Sequence, residues 1–397
     1  MISTVYIEKT VYGGDGLGRL GDGRVIFVPG AFAGEEIKAE IAAEKKHFVK
    51  GRLVEVVKPS PDRLASPDPS VPGMVYAALS AHGEQTAKEA QLHDFFARAR
   101  IPVGKFGPSA MPAHFLNYRN KVVYHFARQK GAWVLGYREE PAHAIVDITN
   151  DPLARPEINA QLATIRQQAF ALLSQGAPNV RRAVERQANL TVRWSSVSGV
   201  RWWMGEPPAQ AVMREATCKR IFEVPAGGFY QVNPEVGETL VRSVVDEYAQ
   251  KAVRAPEVID LYCGVGVFGL SCRPPKLLGI ESGREAVAFA RRNAAAQQMA
   301  NATFRMGQIE HMRKALPAAE QATLIIDPPR GGLGPGVAEA LLRLRVPYIF
   351  YVSCDPATLL RDLRKLTANY DVESVRWFNM FPRTARFETF AVLVRRG

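Results

Sequence analysis

Three side chains in the last quarter of the chain have the types and spacing for nucleophilic and proton-transfer chemistry. Cys354 stands in Ser353-Cys-Asp-Pro356, directly after the apolar run Tyr348-Ile-Phe-Tyr-Val352. A cysteine that leaves a buried strand and is followed at once by Asp-Pro lies on a tight loop at the strand's carboxyl edge. In open α/β sheets that edge collects ligands and reactive groups. Asp327 opens Asp327-Pro-Pro-Arg330 after a second apolar run, Leu324-Ile-Ile326, and Glu388 follows thirty-four residues after the cysteine. A soft nucleophile, an acidic loop and a carboxylate base thus fall on successive pieces of one sheet, a set suited to covalent catalysis with proton removal.

A glycine-rich turn supplies the next chemical feature. Val258-Ile-Asp-Leu-Tyr-Cys-Gly-Val-Gly-Val-Phe-Gly269 reads as a strand running into a loop of the form D-x-x-C-G-x-G. It is shorter than the dinucleotide fingerprint G-x-G-x-x-G. A nucleoside cofactor without a pyrophosphate needs close backbone approach but no phosphate cradle. The following strand, Leu277-Leu-Gly-Ile280, ends in Glu281, where a carboxylate can hold two ribose hydroxyls. Strand, loop and acid in this order favour S-adenosylmethionine over NAD. A turn made only for packing is the plainer reading.

The elements that must position these groups alternate strand and helix from residue 226 onward. Asn233-Pro-Glu opens a helix with a good N-cap, and Val236, Leu240, Val244 and Tyr248 repeat at helical spacing. Strands and helices then succeed one another to an antiparallel carboxyl-terminal end. That pattern predicts a Rossmann-like, doubly wound α/β domain over 226–397. Residues 1–60 read differently, as about five short strands punctuated by glycine turns, an OB-like β-barrel. Its basic loop, Lys45-Lys-His-Phe-Val-Lys50, carries Lys46 for phosphate and Phe48 for base stacking, unless it is a solvated turn. A proline-rich connector leads into a central α+β region over 61–225, with a helix near 80–100, hairpins over 115–150 and a helix near 155–173.

Composition narrows the partners. The chain has 397 residues, 47% apolar, and a net charge of +12, which favours an anionic partner, with nucleic acid foremost. Four cysteines without a CxxC pair argue against a disulfide framework or a structural metal; Cys263 and Cys272 sit among apolar neighbours as small buried hydrophobes. No apolar run approaches the ~20 residues of a membrane span. With no signal peptide legible, the expected compartment is the cytoplasm.

Taken together, the motifs resemble those of the RNA 5-methyluridine methyltransferases almost end to end. Tyr12-Gly-Gly-Asp-Gly-Leu-Gly-Arg19, Phe27-Val-Pro-Gly30 and Pro59-Ser-Pro-Asp-Arg63 are similar to a TRAM domain. Tyr118-Arg-Asn-Lys121 and His143-Ala-Ile-Val-Asp147 resemble the central region. Phe229-Tyr-Gln-Val-Asn233, Asp260-Leu-Tyr-Cys-Gly-Val-Gly266, Asp327-Pro-Pro-Arg330, Ser353-Cys-Asp-Pro356 and Phe381-Pro-Arg-Thr-Ala-Arg-Phe-Glu388 follow in family order. The resemblance implies a methyltransferase domain in which Cys354 is the nucleophile and Glu388 the base. It implies S-adenosylmethionine contacts at Gln231, Tyr262, Gly264, Glu281, Gln308 and Asp327, and a stacking surface for an extruded base at Phe229; the other expected RNA contacts are Lys46 and Phe48 of the basic loop and Arg383 and Arg386 of a positive groove. Arg361, Arg364 and Lys365 line a positive groove or a solvated helix face. Cysteines that hold an iron–sulfur cluster in many relatives have no counterpart here, so no cluster is expected. Val267 replaces an asparagine of the cofactor loop, and Arg386 a histidine two residues before the base; an arginine there cannot relay a proton but can tune Glu388 or grip a phosphate.

The implied reaction adds a thiolate to carbon 6 of uracil, methylates the activated carbon 5 and removes its proton. The implied substrate is structured RNA, ribosomal RNA ahead of tRNA, with no obligate protein partner. Two other readings are a non-catalytic RNA-binding relative and a methyltransferase for another substrate.

Overall fold

Alternation of apolar and polar residues shapes the amino-terminal strands. In the computed structural model, which describes residues 2–139, 144–175, 189–312 and 319–397, β1 (Ile2–Thr10), β2 (Gly16–Arg19), β3 (Val25–Val28), β4 (Glu36–Glu44) and β5 (Val49–Lys58) close into a barrel in the order β1-β2-β3-β5-β4. Val5, Ile7, Ile26, Val28, Ile37, Ala39 and Val49 point inward and form its core. Each large aliphatic side chain so buried contributes roughly 1.5–3 kcal/mol. Helix α1 (Ala81–Ala99) follows the proline-rich connector, with Ser80 accepting the Gly83 N–H at 2.9 Å.

The buried face of α1 is unusually polar. Glu84 and Lys88 are fully buried and paired at 2.8 Å, and Gln91 is 3% exposed. Their partner is a distant piece of chain. Contacts divide the protein into one unit of Met1–Arg98 with Phe381–Phe387 and a second of Ala99–Met380 with Glu388–Gly397. In the first unit the Arg383 N–H donates to both Glu84 carboxylate oxygens (3.1 and 3.0 Å), and the Lys88 ammonium donates to the Phe381 carbonyl (3.3 Å). A charge removed from water needs such compensation, which is why this helix lacks a clean apolar stripe.

The second unit is built on an eight-stranded sheet. Its order is β16-β15-β14-β17-β18-β20-β19-β6. The strands are β6 (Val103–Phe106), β14 (Glu257–Leu261), β15 (Leu277–Glu281), β16 (Ala302–Met306), β17 (Ala322–Ile326), β18 (Tyr348–Ser353), β19 (Tyr370–Phe378) and β20 (Glu388–Arg395). Strands β14 to β18 pair in parallel, whereas β20 runs antiparallel to both β18 and β19. Every residue of β17 and β18 is buried, as expected where helices cover both faces of a parallel sheet.

A five-stranded sheet, β11-β10-β7-β8-β9, comes from β7 (Lys121–Gln129), β8 (Ala132–Arg138), β9 (Ile145–Asp147), β10 (Asn189–Ser195) and β11 (Gly199–Met204), and α2 (Pro156–Gln175) belongs to this part of the unit. His143 of the quoted central motif lies outside the described residues. A hairpin of β12 (Val212–Thr217) and β13 (Arg220–Pro225) leads to α3 (Pro234–Lys251). Helices α4 (Val267–Cys272), α5 (Arg284–Ala296), α6 (Ile309–Met312), α7 (Val337–Leu344) and α8 (Pro356–Leu366) connect the sheet strands. The expected barrel and doubly wound sheet are present; β6, β16 and the β12–β13 hairpin are additions to the reading from sequence. No helix among the described residues is long and apolar enough to cross a membrane.

Candidate active site

The carboxyl edge of the large sheet gathers the chemistry. After β14 the chain turns through Tyr262 (φ 59°), Gly264 (φ 53°) and Gly266 (φ 87°) into α4. A left-handed tyrosine is strained by roughly 1–3 kcal/mol, which the surrounding structure must offset. Gly269 is required for packing, since a Cβ there would stand 2.7 Å from Leu277 and 2.9 Å from the Asp260 carboxylate. Asp260 anchors the loop from below by accepting the Gly269 N–H at 2.9 Å. Burial, opposed by that hydrogen bond and reinforced by Asp327 and Glu281, pushes its carboxyl up to about 7.

Glu281 ends β15 and is fixed from both sides. One oxygen accepts the Gly264 N–H (3.1 Å); the other accepts the Gly283 N–H (2.7 Å) and the Ser282 hydroxyl (3.1 Å). A cavity of about 200 Å³ lies in front of these groups, lined among others by Phe229, Gln231, Tyr262, Gly264, Glu281 and Asp327. The structure therefore brings together five of the six residues expected at the cofactor, together with the aromatic expected at RNA. Gln308 is the exception: it is exposed just beyond β16 and outside the cavity lining. Val267, the replacement for an asparagine, lines the same space with Val241, Val265 and Phe268. A fixed carboxylate beside a glycine turn, facing apolar walls, suits the ribose diol and the uncharged portions of S-adenosylmethionine.

Cys354 and Glu388 meet through strand register. In the β18–β20 pair, Val352 faces Phe390 and Ser353 faces Thr389, the last pair of the ladder, so Cys354 leaves β18 one residue beyond it, at the end where Glu388 opens β20. The Thr389 hydroxyl donates to the Ser353 carbonyl at 3.0 Å and pins this end of the ladder. On the other side Glu388 pairs in register with Phe378 of β19. Asp355 caps α8 by accepting the Ala357 and Thr358 N–H groups (2.9 and 3.2 Å), which holds the cysteine loop short.

Electrostatics tie this pair to the cavity. Burial pushes the Cys354 thiol up to about 11, with Glu388, Asp327 and Asp355 adding and Arg330 opposing. Burial pushes Glu388 up to about 8, with Asp327 adding and Arg330 opposing. Asp327, at the cavity wall, is raised to about 7 by burial alone. Like charges this close resist ionising together. Burial and the neighbouring acids thus favour the protonated thiol over the thiolate in the free protein. Arg330, quoted only as part of a motif in the sequence reading, is the cation that favours both anions.

The residues expected to touch RNA fare unevenly. Phe229 is 72% exposed at the cavity rim. Lys46 is exposed in the β4–β5 turn, whereas Phe48 is half-buried, its ring edge-on to Phe27 at 5.4 Å. Arg383 must be reassigned to a structural position. It is buried, pairs with Asp68 at 2.6 Å and Glu84 at 3.4 Å, and donates to the Leu79 carbonyl at 2.7 Å. Arg386 is half-buried and makes no ion pair among the described residues. Arg361 is held by Asp362 and the Gly331 and Leu333 carbonyls, and Lys365 by Glu339 at 2.9 Å.

Comparison with known proteins gives the family and the fold. Residues 208–396 match the family described as tRNA (uracil-5-)-methyltransferase, and residues 2–54 match the TRAM domain. An uncharacterized RNA methyltransferase of Thermosynechococcus vestitus is 30% identical over 98% of this chain and 96% of its own length. The 23S rRNA (uracil(1939)-C(5))-methyltransferase of Methylococcus capsulatus is 28% identical over 98% of this chain and 96% of its own. The crystal structure of Pyrococcus abyssi tRNA (uracil-54, C5)-methyltransferase shares the fold, with a TM-score of 0.74 at 21% identity over 98% of this chain and all of that one. From its carboxyl-terminal motifs to its amino-terminal barrel, the chain belongs to the S-adenosylmethionine-dependent RNA uracil-5-methyltransferase family.

Proposed function

We propose that this protein methylates carbon 5 of a uridine in structured RNA through a transient bond between Cys354 and carbon 6 of the ring. The observation that carries this is that Cys354 follows the end of β18 where Glu388 opens the neighbouring β20, with the charge of Asp327, at the cofactor cavity, acting on both. Carbon 5 of uracil is a weak nucleophile. The Cys354 thiol loses its proton to solvent, its sulfur adds to carbon 6, and the electron pair moves onto the carbonyl oxygen at carbon 4 as an enolate. Gln231, Tyr262, Gly264, Glu281 and Asp327 would hold S-adenosylmethionine, whose sulfonium would supply the methyl group that carbon 5 takes, leaving S-adenosylhomocysteine. Glu388 then removes the carbon 5 proton, and the carbon–sulfur bond breaks to return the thiolate.

The perturbed acidities order these steps. A thiolate and a Glu388 carboxylate oppose each other, so the thiolate forms best while Glu388 is protonated. Once sulfur is bonded to carbon its charge is gone, and the carboxylate is favoured at the stage when a base is needed. Phe229 offers a face for the extruded uracil. Arg386 and Lys46 are kept as RNA contacts. Ribosomal RNA is the favoured substrate, because the Methylococcus relative acts on it and spans nearly the whole chain; the cytoplasm is the favoured compartment.

The experiment is methyl transfer from labelled S-adenosylmethionine to unmodified ribosomal and transfer RNA transcripts. Cys354→Ala should abolish transfer, and Glu388→Gln should accumulate a protein–RNA adduct on a denaturing gel. Full activity of Cys354→Ala rules out the nucleophile.

A further inference from the structure

Residues 229–233 bring Phe229 and Gln231 to the cofactor cavity without belonging to a helix or a strand. A segment with no ladder of its own is placed by the bonds its backbone makes elsewhere. Two of those bonds go to Asn120 of the Tyr118-Arg-Asn-Lys121 motif. Its N–H donates to the Val232 carbonyl at 2.9 Å, and its side-chain amide donates to the Gln231 carbonyl at 3.3 Å. Asn120 is 1% exposed and directly precedes β7. Its own carbonyl accepts the Trp194 N–H of β10 at 2.7 Å, and the next residue, Lys121, pairs with Arg193 in the β7–β10 ladder. Asn120 therefore reaches out from a fixed sheet end. Two further contacts enclose the segment. The Tyr230 hydroxyl bonds the Thr217 hydroxyl at the end of β12, and a Cβ on Gly237 of α3 would stand 2.8 Å from the Gln231 Cβ.

We propose that Asn120 is a positioning residue for methyl transfer: from the end of β7 it fixes the backbone of Gln231, and so aims the Gln231 side chain at the cofactor. The role rests on the cofactor site proposed above. The chemistry of the contact calls for an amide. The Gln231 carbonyl needs a donor, which alanine removes; aspartate, when ionised, sets an acceptor against an acceptor. The backbone bonds of residue 120 to Val232 and Trp194 survive either change. Because the side-chain bond acts through Gln231, its loss should be felt only while Gln231 itself touches the cofactor.

The test is a double-mutant cycle read by calorimetry of S-adenosylhomocysteine binding. Asn120→Ala should raise Kd by roughly 2- to 13-fold, the worth of one neutral hydrogen bond, with the binding stoichiometry at the wild-type value. Asn120→Asp, of nearly unchanged volume, should raise it at least as much. In a Gln231→Ala background either change should cost less than about twofold, because the two side chains act as one. A role in folding alone would lower the stoichiometry and leave Kd unchanged, or add in full to the effect of Gln231→Ala; either result overturns the positioning role and leaves the cofactor site. An unchanged Kd in Gln231→Ala itself overturns the placement of Gln231 at the cofactor, and the positioning role with it.

Discussion

Glu388→Gln should stabilise the protein, and increasingly so as the pH rises. Glu388 is 4% exposed, and its carboxyl is pushed from the ordinary 4.5 up to about 8 by burial and by Asp327. The native state therefore keeps a proton that the unfolded state has already lost. Stability from this group is present below about pH 4.5 and falls away as the pH rises through about 8. At ~1.4 kcal/mol per tenfold change in proton affinity, the loss has a ceiling of about 5 kcal/mol, and relaxation of the site brings it to roughly 2–4 kcal/mol between about pH 5 and pH 8. Glutamine has nearly the same shape and no charge to ionise. Urea unfolding of the wild type and Glu388→Gln, followed by far-ultraviolet circular dichroism at several pH values, measures the difference. The wild-type midpoint should fall relative to the variant as pH rises; parallel pH dependences would refute the placement of Glu388 in a desolvated, anion-rich site.

The same acidities give a rising rate profile. Because Cys354 and Glu388 must both lose protons during turnover, kcat/KM for methyl transfer should climb from pH 7 past pH 8, and Arg330→Met should lower the rate at neutral pH by removing the cation that favours both anions. Glu281→Gln should weaken S-adenosylhomocysteine binding about 10- to 150-fold by calorimetry, the worth of a charged hydrogen bond of roughly 1.5–3 kcal/mol. Phe229→Ala should raise KM for RNA by about 5- to 150-fold, the ~1–3 kcal/mol of one base stack, and leave cofactor affinity unchanged.

Much of the site was legible because it sits where local patterns end. Cys354, Asp327 and Glu281 each close an apolar run, and a strand followed by a polar residue at the loop edge is a short-range signal. The nearness of Cys354 and Glu388 was not legible, since it depends on the pairing of β18 with β20, strands separated in sequence by two other elements. The raised pKa of the thiol was also hidden, because it arises from burial and from acids brought in by other strands. Arg383 misled for a related reason. A lone arginine in a basic chain reads as a surface charge until Glu84 and Asp68, some three hundred residues earlier, are seen around it. The β12–β13 hairpin did show alternation on both arms, but its tip, Cys218-Lys219, takes positive φ at two residues that are not glycine and so carried no turn signal.

That long-range clamp bears on how the protein is made. Helix α1 buries Glu84 and Lys88 against a segment that the ribosome adds about 280 residues later. At 5–20 residues per second, the amino-terminal unit waits roughly 15–60 s for Phe381–Phe387 before it can complete its core. For that interval the buried Glu84–Lys88 pair of α1 lacks the Arg383 N–H and the Phe381 carbonyl that satisfy it in the finished fold. A nascent chain stalled before residue 381 should hold this unit in a protease-sensitive state, and release of the full chain should close it.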